Sequence, residues 1–429
     1  MSIKIIQSFW TKPFLEQNDD ESARFKAGWS STNLFFYSAL LSCLTFKKHY
    51  GNVIMYTDKY GNELLKEKLG IPYTAVYKDL EQLHDYPSGL WALGKILSYS
   101  LQDKPFIHAD TDVFIWKRFP ESFISKDLFF QNVEFNFPRY KEVLEVILRE
   151  FINVPETLIK EYLKNGNINA FNAGVIGGNN TSFFKELAKQ VFPFVNDNLL
   201  HLSKVDQGIF NMIYEQMLGM NLALENNLST NALYKEMSPS FSKVMRFQLI
   251  PEKEYYIHTV GHGKKSPVVQ EQIEARLRYE FHDEYYNLKE SLDKNGLSDN
   301  DFKGVTEKRF QYLKKHFDWL KNTSWNEKMN TKFILNPNIT CRENENNEVV
   351  LYYNSPQELK DTSFIVEDWD FFLFYFEEAN SIKNAASEAY ANESISSQMS
   401  KEQLEERLFS MVMDRCMFNE ILLFYESVK

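Results

Sequence analysis

The sequence predicts an α/β fold with a mainly parallel sheet over residues 1–265. Short apolar runs typical of buried strands alternate there with longer segments of helical periodicity. Gly51 and Gly70 end two of the helical segments. Because strand, helix and strand alternate, we expect parallel strands that place ligand-binding residues at their carboxyl ends.

The individual elements follow this alternation from the first residues onward. The strand-like segments are, in order, IKIIQSF (3–9), NVIMYTD (52–58), YTAVY (73–77), PFIHADTDVFI (105–115), INAFNAGVIGGN (168–179) and YYIHTVGHGKK (255–265). The segments with helical spacing are 33–51, 63–70, 90–102, 181–195 and 204–217. Every predicted strand except the last is thus followed by a turn or a helix before the next one.

The rest of the chain changes composition twice. Lys, Glu, Tyr and Phe dominate 266–328, which predicts a helical connector made of surface helices with solvated charged faces. Residues 329–429 predict a small β-then-α domain of winged-helix-like form. Its strands are expected at 332–344, 348–354 and 362–366, and its helices at 369–379 and 399–426.

The composition narrows the class of protein. The chain has 429 residues, 44% of them hydrophobic, and a formal net charge of −11. Such an acidic chain has no general attraction for nucleic acid, and no apolar stretch reaches the roughly 20 residues of a bilayer-crossing helix. We therefore expect a cytoplasmic protein without a membrane span. The cysteines, Cys43, Cys341 and Cys416, are odd in number and far apart, which predicts reduced thiols.

Two aspartates interrupt a predicted strand that is apolar enough to be buried. Asp110 and Asp112 stand in FIHADTDVFIW, and the alternation of side chains along a strand places both on one side. One divalent cation can then meet both carboxylates, remove their repulsion and bind a diphosphate, whose oxygens are also hard ligands. Acidic pairs also close many strands as edge or capping residues, so the motif alone leaves that interpretation open.

Two later segments carry groups suited to the same ligand. In HTVGHGK, His258 is a candidate third metal ligand and Lys264 a cation suited to phosphate. The alternative is a strand-end histidine held by hydrogen bonds alone. In FNAGVIGGN, the glycines permit close backbone approach and Asn172 offers a donor and an acceptor to a polyhydroxylated ligand. A tight strand turn is the alternative there.

These motifs resemble, in their order, those of the nucleotide-sugar glycosyltransferases of the GT-A fold, particularly family 8, the glycogenin and bacterial galactosyltransferase group. The resemblance rests on HADTDVFIW, FNAGVIGG, DQGIFN and the H-x-x-G-x-x-K spacing of HTVGHGK, and it covers most of residues 1–265. It implies a GT-A (Rossmann-like) fold and an enzyme that moves a hexose from a nucleoside-diphosphate sugar, UDP-hexose above all, to an acceptor hydroxyl. It also implies Mn²⁺ or Mg²⁺ as the cofactor.

The resemblance assigns roles to particular residues. Asp110, Asp112 and His258 are expected to hold the metal ion against the diphosphate, and Lys264 to neutralise the leaving group. The donor sugar, the acceptor and the reacting carbon are expected to lie beside Asn172, Ala173, Gly174, Asp206 and Gln207. The last two of these are the catalytic candidates, since either can stabilise an oxocarbenium-like centre.

Residues outside these motifs are candidates for further donor contacts. Lys95, on the helix before the metal strand, is a candidate for phosphate, with a solvated helix lysine as the alternative. Candidates for nucleoside contacts stand at the ends of the first two strands: Gln7, Ser8, Thr57 and Asp58. Lys265 follows Lys264 where family 8 often has Trp or Pro, so the stereochemical outcome stays open.

The segment from 330 to 429 resembles the winged-helix peptide-binding module called the RiPP recognition element, similar to the PqqD family. The resemblance rests on KFILNPNITCRENENNEVVLYYN, on TSFIV and on the helix spacing that follows. It implies that the leader segment of a ribosomally made precursor peptide binds as an added strand beside TSFIV and the helix from Met399. A packing or dimerisation domain without a ligand is the alternative.

Two other functions compete with sugar transfer. A haloacid-dehalogenase-like phosphatase also places D-x-D after a buried strand, but Phe114 stands where that family has Thr or Val. The other is a non-catalytic protein that binds a sugar nucleotide or a peptide. Retention of all the metal and phosphate positions favours an enzyme.

Overall fold

The computed structural model describes residues 3–16, 25–355, 360–366 and 368–427. The chain divides into two compact units. Unit 1 comprises Met1–Met245 and Tyr256–Phe302, and unit 2 comprises Arg246–Tyr255 and Lys303–Lys429. The division into domains at 1–265, 266–328 and 329–429 stays a prediction.

A seven-stranded sheet forms the centre of unit 1. The strands of the unit are β1 (Lys4–Phe9), β2 (Val53–Thr57), β3 (Ala75–Tyr77), β4 (Phe106–Ala109), β5 (Val113–Ile115), β6 (Leu128–Phe130), β7 (Val133–Phe135), β8 (Asn169–Phe171), β9 (Val175–Gly178), β10 (Thr230–Ala232) and β11 (Tyr256–His258). The central sheet has the order β10-β6-β9-β4-β1-β2-β3. Strand β9 runs antiparallel to β4 and β6, and the other neighbouring pairs are parallel. The prediction of an α/β fold with a mainly parallel sheet is confirmed.

Helices surround the sheet. They are α1 (Lys12–Leu15), α2 (Thr32–Tyr50), α3 (Lys59–Asn62), α4 (Leu93–Ser100), α5 (Glu121–Ile124), α6 (Pro138–Glu150), α7 (Glu156–Asn165), α8 (Thr181–Asp197), α9 (Gln207–Met212), α10 (Leu218–Glu225), α11 (Phe241–Val244), α12 (Pro267–Glu280) and α13 (His282–Lys294). Helix α2 begins where the Ser31 hydroxyl accepts a hydrogen bond from the Leu34 amide. It ends at Gly51, whose φ of +85° favours glycine.

The strand order creates a crevice beside β1. The chain proceeds from β1 to β2 and β3 on one side and then crosses to β4 on the other side of β1. In open α/β sheets, ligands bind at such a switch point, outside the carboxyl ends of the strands. The two small sheets of the unit pair β5 with β11 and β7 with β8, both antiparallel.

Helix α12 differs from its prediction. The charged side chains of 266–328 were expected to be solvated, yet Glu274, Arg276 and Arg278 are buried. The Tyr285 hydroxyl donates to Glu274, and the Arg276 guanidinium donates to the Gln272 amide oxygen. These hydrogen bonds, one to the next helix and one within α12, reduce the cost of burying the charges, and the prediction of a surface helix is wrong for α12.

Unit 2 combines two three-stranded sheets with helices. Its strands are β12 (Lys332–Leu335), β13 (Thr340–Glu343), β14 (Val349–Ser355), β15 (Lys360–Ile365), β16 (Asn380–Ser381) and β17 (Leu422–Phe424). Its α-helices are α14 (Glu307–Asn322), α15 (Trp325–Asn330), α16 (Ile382–Tyr390), α17 (Glu393–Ser396) and α18 (Lys401–Met417). The sheets have the orders β16-β12-β17 and β13-β14-β15, with antiparallel pairs. The winged-helix-like arrangement stays a prediction.

Two predicted elements of unit 2 need correction. The strand expected at 332–344 is two strands, and only β13 pairs with β14. The helix expected at 399–426 ends at Met417, and the chain then forms β17. Glu420 adopts a positive φ of +54° at this change of direction, which a helix cannot continue through.

Two further features of the chain are the state of its cysteines and the hydropathy of its helices. The three cysteines are free, with Cys43 and Cys416 buried and Cys341 exposed. Among the described residues, the helices lack the length and apolar character that crossing a membrane requires.

Candidate metal centre

Asp110, Asp112 and His258 converge at the carboxyl end of β4. Asp110 directly follows β4, and His258 ends β11, which pairs antiparallel with β5 so that His258 lies opposite Val113. One ligand atom from each of the three residues lies within 4.8 Å of the others. Carboxylate oxygen and imidazole nitrogen form a donor set suited to a divalent ion such as Mn²⁺.

Backbone hydrogen bonds hold the two aspartates in this position. The Asp110 amide donates to the Gly174 carbonyl at 2.9 Å, and the Val113 amide donates to the Asp110 carbonyl at 3.1 Å. The Thr259 amide donates to the Asp112 carbonyl, also at 3.1 Å. The D-x-D turn is thereby tied both to β9 and to the end of β11.

One ligand atom lacks the hydrogen bond that burial normally demands. Asp112 Oδ1 is buried without a hydrogen-bond partner among the described residues, and it lies 3.5 Å from His258 Nε2. A buried carboxylate oxygen in this situation is costly unless a positive group reaches it. The Asp110 side chain is 29% exposed, which leaves the cluster open to solvent. These features fit a divalent cation.

Lys264 joins the cluster from the turn after β11. Its Nζ lies 2.7 Å from Asp112 Oδ2 and donates to the Ala27 carbonyl. Burial by itself raises the pKa of Asp112, but the ammonium of Lys264 outweighs it, so the pKa is held below its ordinary value. Asp112 therefore stays ionised, as a metal ligand must be.

Lys95 lies on the other side of the cluster and is buried. Its Nζ is 3.1 Å from Asp110 Oδ1 and 3.0 Å from Glu215 Oε1, and it donates to the Ala173 carbonyl. Burial lowers the pKa of Lys95, but the two carboxylates outweigh this and raise it. Burial raises the pKa of Asp110 and of Glu215, against the opposing effect of Lys95. The alternative of a solvated helix lysine is wrong.

The Asn-Ala-Gly segment supports the cluster from β9. A Cβ on Gly174 would lie 2.3 Å from the His258 ring, so only glycine leaves room for that side chain. The Asn172 side-chain amide donates to Glu134, and its oxygen accepts from the Gly174 amide. Asn172 is thus engaged within the protein while it shapes this turn.

Asp206 and Gln207 lie at the start of α9. Asp206 caps that helix by accepting from the Ile209 amide, and it forms an exposed ion pair with Arg139. The Gln207 side chain occupies the space where Gly89 has no Cβ. Their proposed contact with the reacting carbon stays a prediction.

The four nucleoside candidates fall into two pairs. At the end of β1, the Gln7 amide donates to Ser42 and to the Asp110 carbonyl, and the Ser8 hydroxyl contacts His108. At the end of β2, the Thr57 hydroxyl donates to the Phe9 carbonyl. Asp58 accepts from the Thr11 amide and hydroxyl and caps α3. The first pair adjoins the cluster, and the second belongs to a separate network.

Three polar residues at the site were not singled out from the sequence. Gln131 accepts hydrogen bonds from His258 and Tyr256, Glu215 binds Lys95, and Arg139 binds Asp206. Gln131 follows the apolar run of β6, so the strand-end rule that identified Asp110 applies to it as well. Glu215 and Arg139 stand in helical segments, where the pattern carries no comparable signal.

The fold and the site thus define an α/β protein with a candidate divalent-metal site at its strand ends. Residues 3–291 match a family described as a family of unknown function, DUF6734, and since the match covers more than half of the chain, the chain belongs to that family. Comparison with curated proteins finds no match.

Several solved structures resemble this chain, and one of them is a glycosyltransferase. The apo crystal structure of mouse xyloside xylosyltransferase 1 is 12% identical, with 54% of this chain and 84% of that chain covered, and its TM-score is 0.28. A likeness at that TM-score is too low to support an argument about this chain.

Proposed function

We propose that the chain is a metal-dependent glycosyltransferase that moves a hexose from a nucleoside-diphosphate sugar, with UDP-hexose as the expected donor, to an acceptor hydroxyl. The observation that supports this most is the convergence of Asp110, Asp112 and His258 within 4.8 Å, with Lys264 against the same cluster. Acidic ligands for a hard cation beside the partly exposed ammonium of Lys264 match the needs of a departing diphosphate.

The three ligands would hold Mn²⁺ or Mg²⁺, which supplies charge stabilisation to diphosphate oxygens when it is bound. Asp112 contributes an ionised carboxylate, since the ammonium of Lys264 keeps its pKa low against burial. Asp110 is held in place by Lys95, whose buried ammonium also binds Glu215. The protein thereby fixes the ligands before the donor arrives.

Lys264 is the residue that would neutralise the leaving group. Its side chain is 17% exposed, and its ammonium lies against Asp112 and 5.6 Å from the Trp29 ring centre. A diphosphate at the cluster would meet this positive charge directly. Lys95 is the second candidate for phosphate, although its described contacts are all with protein oxygens.

The remaining predicted residues divide between the sugar and the nucleoside. We infer that Asn172, Ala173 and Gly174 border the donor sugar, and that Asp206 or Gln207 stabilises the positive charge at the reacting carbon. Gln7, Ser8, Thr57 and Asp58 are proposed on the nucleoside side. A cavity of about 440 Å³ supports this placement for Asp58, which lines it together with Trp10 and Tyr60.

The test is metal-dependent turnover of nucleotide sugars. Asp112→Asn should reduce release of nucleoside diphosphate by more than about 100-fold, because it removes an ionised ligand. Asp85→Asn is the matched control, since the Asp85 side chain is 94% exposed. Release of inorganic phosphate instead would support the phosphatase, and binding without turnover the non-catalytic alternative. An active Asp112→Asn variant would refute the metal assignment.

We also propose that residues 329–429 bind the leader segment of a precursor peptide that carries the acceptor. Strands β13 to β15 form an antiparallel sheet that precedes α16 to α18, and an edge strand such as β15 offers backbone groups to an added strand. From α18, the Arg415 guanidinium lies 4.5 Å from the Phe364 ring centre on β15. Phe364→Ala should weaken transfer to the peptide and leave donor hydrolysis intact, and unchanged peptide use would refute this role.

A further inference from the structure

A row of buried amide groups lies behind the His258 ring. His258 Nδ1 is 2.6 Å from Gln131 Oε1, and the Tyr256 hydroxyl is also 2.6 Å from that oxygen. Gln131 Nε2 donates to Asn132 Oδ1 at 2.9 Å, and Asn132 Nδ2 donates to the Val133 carbonyl at 3.1 Å. Gln131 and Asn132 are each 2% exposed, so water does not compete for these bonds.

The direction of every hydrogen bond in the row follows from the bond at its end, between Asn132 and the Val133 carbonyl. A backbone carbonyl can only accept, so the Val133 carbonyl requires the amino group of Asn132 to face it. The Asn132 oxygen then faces Gln131 and requires its amino group. This leaves the Gln131 oxygen toward His258 and Tyr256, where it can only accept. His258 must therefore carry a hydrogen on Nδ1.

We propose that Gln131 is a positioning residue for the metal centre, which fixes His258 as the Nδ1–H tautomer with the Nε2 lone pair directed to the metal site. A histidine ligand requires one ring nitrogen free of hydrogen, and the partner of the other nitrogen determines which one it is. In this site the required nitrogen is Nε2, because it faces Asp112 Oδ1 at 3.5 Å.

The fixed tautomer explains the unpaired acceptor on Asp112. With hydrogen on Nδ1, the neutral ring presents a lone pair to a carboxylate oxygen that is buried without a hydrogen-bond partner in the described structure. Two facing acceptors repel each other, and a cation between them removes that repulsion. The amide row thus prepares a pair of acceptor atoms that suits a bound cation.

Gly174 completes the arrangement on the other side of the ring. A Cβ at this position would lie 2.3 Å from His258 Nδ1 and 2.9 Å from Gln131 Oε1. These two atoms form the hydrogen bond that sets the tautomer. The absence of a side chain therefore protects the hydrogen bond between His258 and Gln131. This requirement is separate from the predicted role of Gly174 near the donor sugar.

The first test determines the tautomer of His258 in the wild-type protein. In protein labelled with ¹⁵N at histidine and kept at pH 8, long-range correlation spectra report which ring nitrogen carries hydrogen, and His258→Ala assigns the signal. A hydrogen on Nδ1 is expected. A hydrogen on Nε2 with none on Nδ1 would overturn the inference.

The second test measures Mn²⁺ affinity of the full chain, without sugar nucleotide, by paramagnetic resonance titration. Gln131→Met is close in shape but removes the oxygen acceptor, and it should weaken Mn²⁺ binding about 10–100-fold. Tyr256→Phe is the matched control, because it removes the other donor to the same oxygen and should leave the affinity near that of the wild type. A folded Gln131→Met variant with wild-type affinity would overturn the inference.

These outcomes separate this inference from the proposed function, on whose metal site it rests. Gln131-dependent Mn²⁺ binding without turnover of any nucleotide sugar would refute sugar transfer and leave the role of Gln131 in place. If sugar transfer is intact and Gln131→Met binds Mn²⁺ as tightly as the wild type does, only the role of Gln131 is refuted.

Discussion

Asp112 in unit 1 and Asp414 in unit 2 are both largely removed from water, yet their surroundings differ. Asp112 has the ammonium of Lys264 at 2.7 Å, and its pKa is held below the ordinary value despite burial. Asp414 receives a hydrogen bond from the neutral amide of Gln248, and burial raises its pKa to about 6. The adjacent Arg415 binds Asp370 at 2.6 Å instead.

The comparison shows what distinguishes a candidate site from an ordinary buried acid. A carboxyl group beside a neutral partner reduces the cost of burial by binding a proton, whereas one beside a cation keeps its charge available to a ligand. Perturbation of the pKa occurs in both units. Only the cluster in unit 1 couples it to further ligand atoms and to a solvent-accessible opening.

The largest loss of stability is expected when a buried cation is removed from the cluster in unit 1. Lys95→Met leaves the Asp110 and Glu215 carboxylates close together and without their shared ammonium, so we expect unfolding to become easier by about 3–5 kcal/mol. Calorimetry of the variant at pH 7 checks this through the transition of unit 1. A transition unchanged from wild type would mean that the two acids find other compensation.

The opposite change is expected for Asp414. Because its folded-state pKa is about 6 and its unfolded value is near 3.8, stability is lost as the pH rises between those values. Asp414→Asn cannot ionise, so it should stabilise the protein by about 1–3 kcal/mol at pH 7.5 and by about one third of that at pH 4.5. Thermal midpoints at the two pH values measure the difference.

A loss of stability in Asp414→Asn at pH 7.5 would contradict this account, since it would show that the ionised carboxylate is favoured. Glu405→Gln is a suitable control for removing one negative charge, because Glu405 lies on the same helix, α18, about two and a half turns before Asp414. It should show no comparable dependence on pH.

The smallest effect is expected for an ion pair outside both environments. Lys141 and Glu145 lie 3.9 Å apart on α6 with side chains 61% and 54% exposed. Lys141→Met should change the free energy of unfolding by about 0.5 kcal/mol or less, because water already solvates both charges. The same calorimetric measurement calibrates Lys95→Met, and a large effect would show that burial is not what separates the two lysines.

Much of the site follows from a local rule applied to the sequence. Alternation along one apolar strand was expected to place Asp110 and Asp112 on the same side, and they do meet with His258, although they lie on the turn between β4 and β5. The rule that ligands lie at strand ends also points to Gln131, which follows β6. The strands predicted from the sequence stop at 115 and resume at 168, so β6 and Gln131 were missed.

The local rule fails where a residue depends on a distant partner. The charged positions of α12 were interpreted as a solvated face because periodicity says which residues share a face and not what packs against it. The helix expected at 399–426 failed for a similar reason. Apolar residues of β17 continue the pattern of α18, but β17 pairs with β12.

The amino-acid sequence alone therefore determined the alternation of strands and helices, the strand ends that carry acids, and the glycine turn beside them, because these depend on neighbouring residues. Tertiary structure decided that Lys95 is buried between two carboxylates, that Gln131 orients His258, and which charges lie in contact. Those outcomes depend on strand order and on pairs of residues far apart in the chain, whose electrostatic energies exist only once folding has removed the water between them.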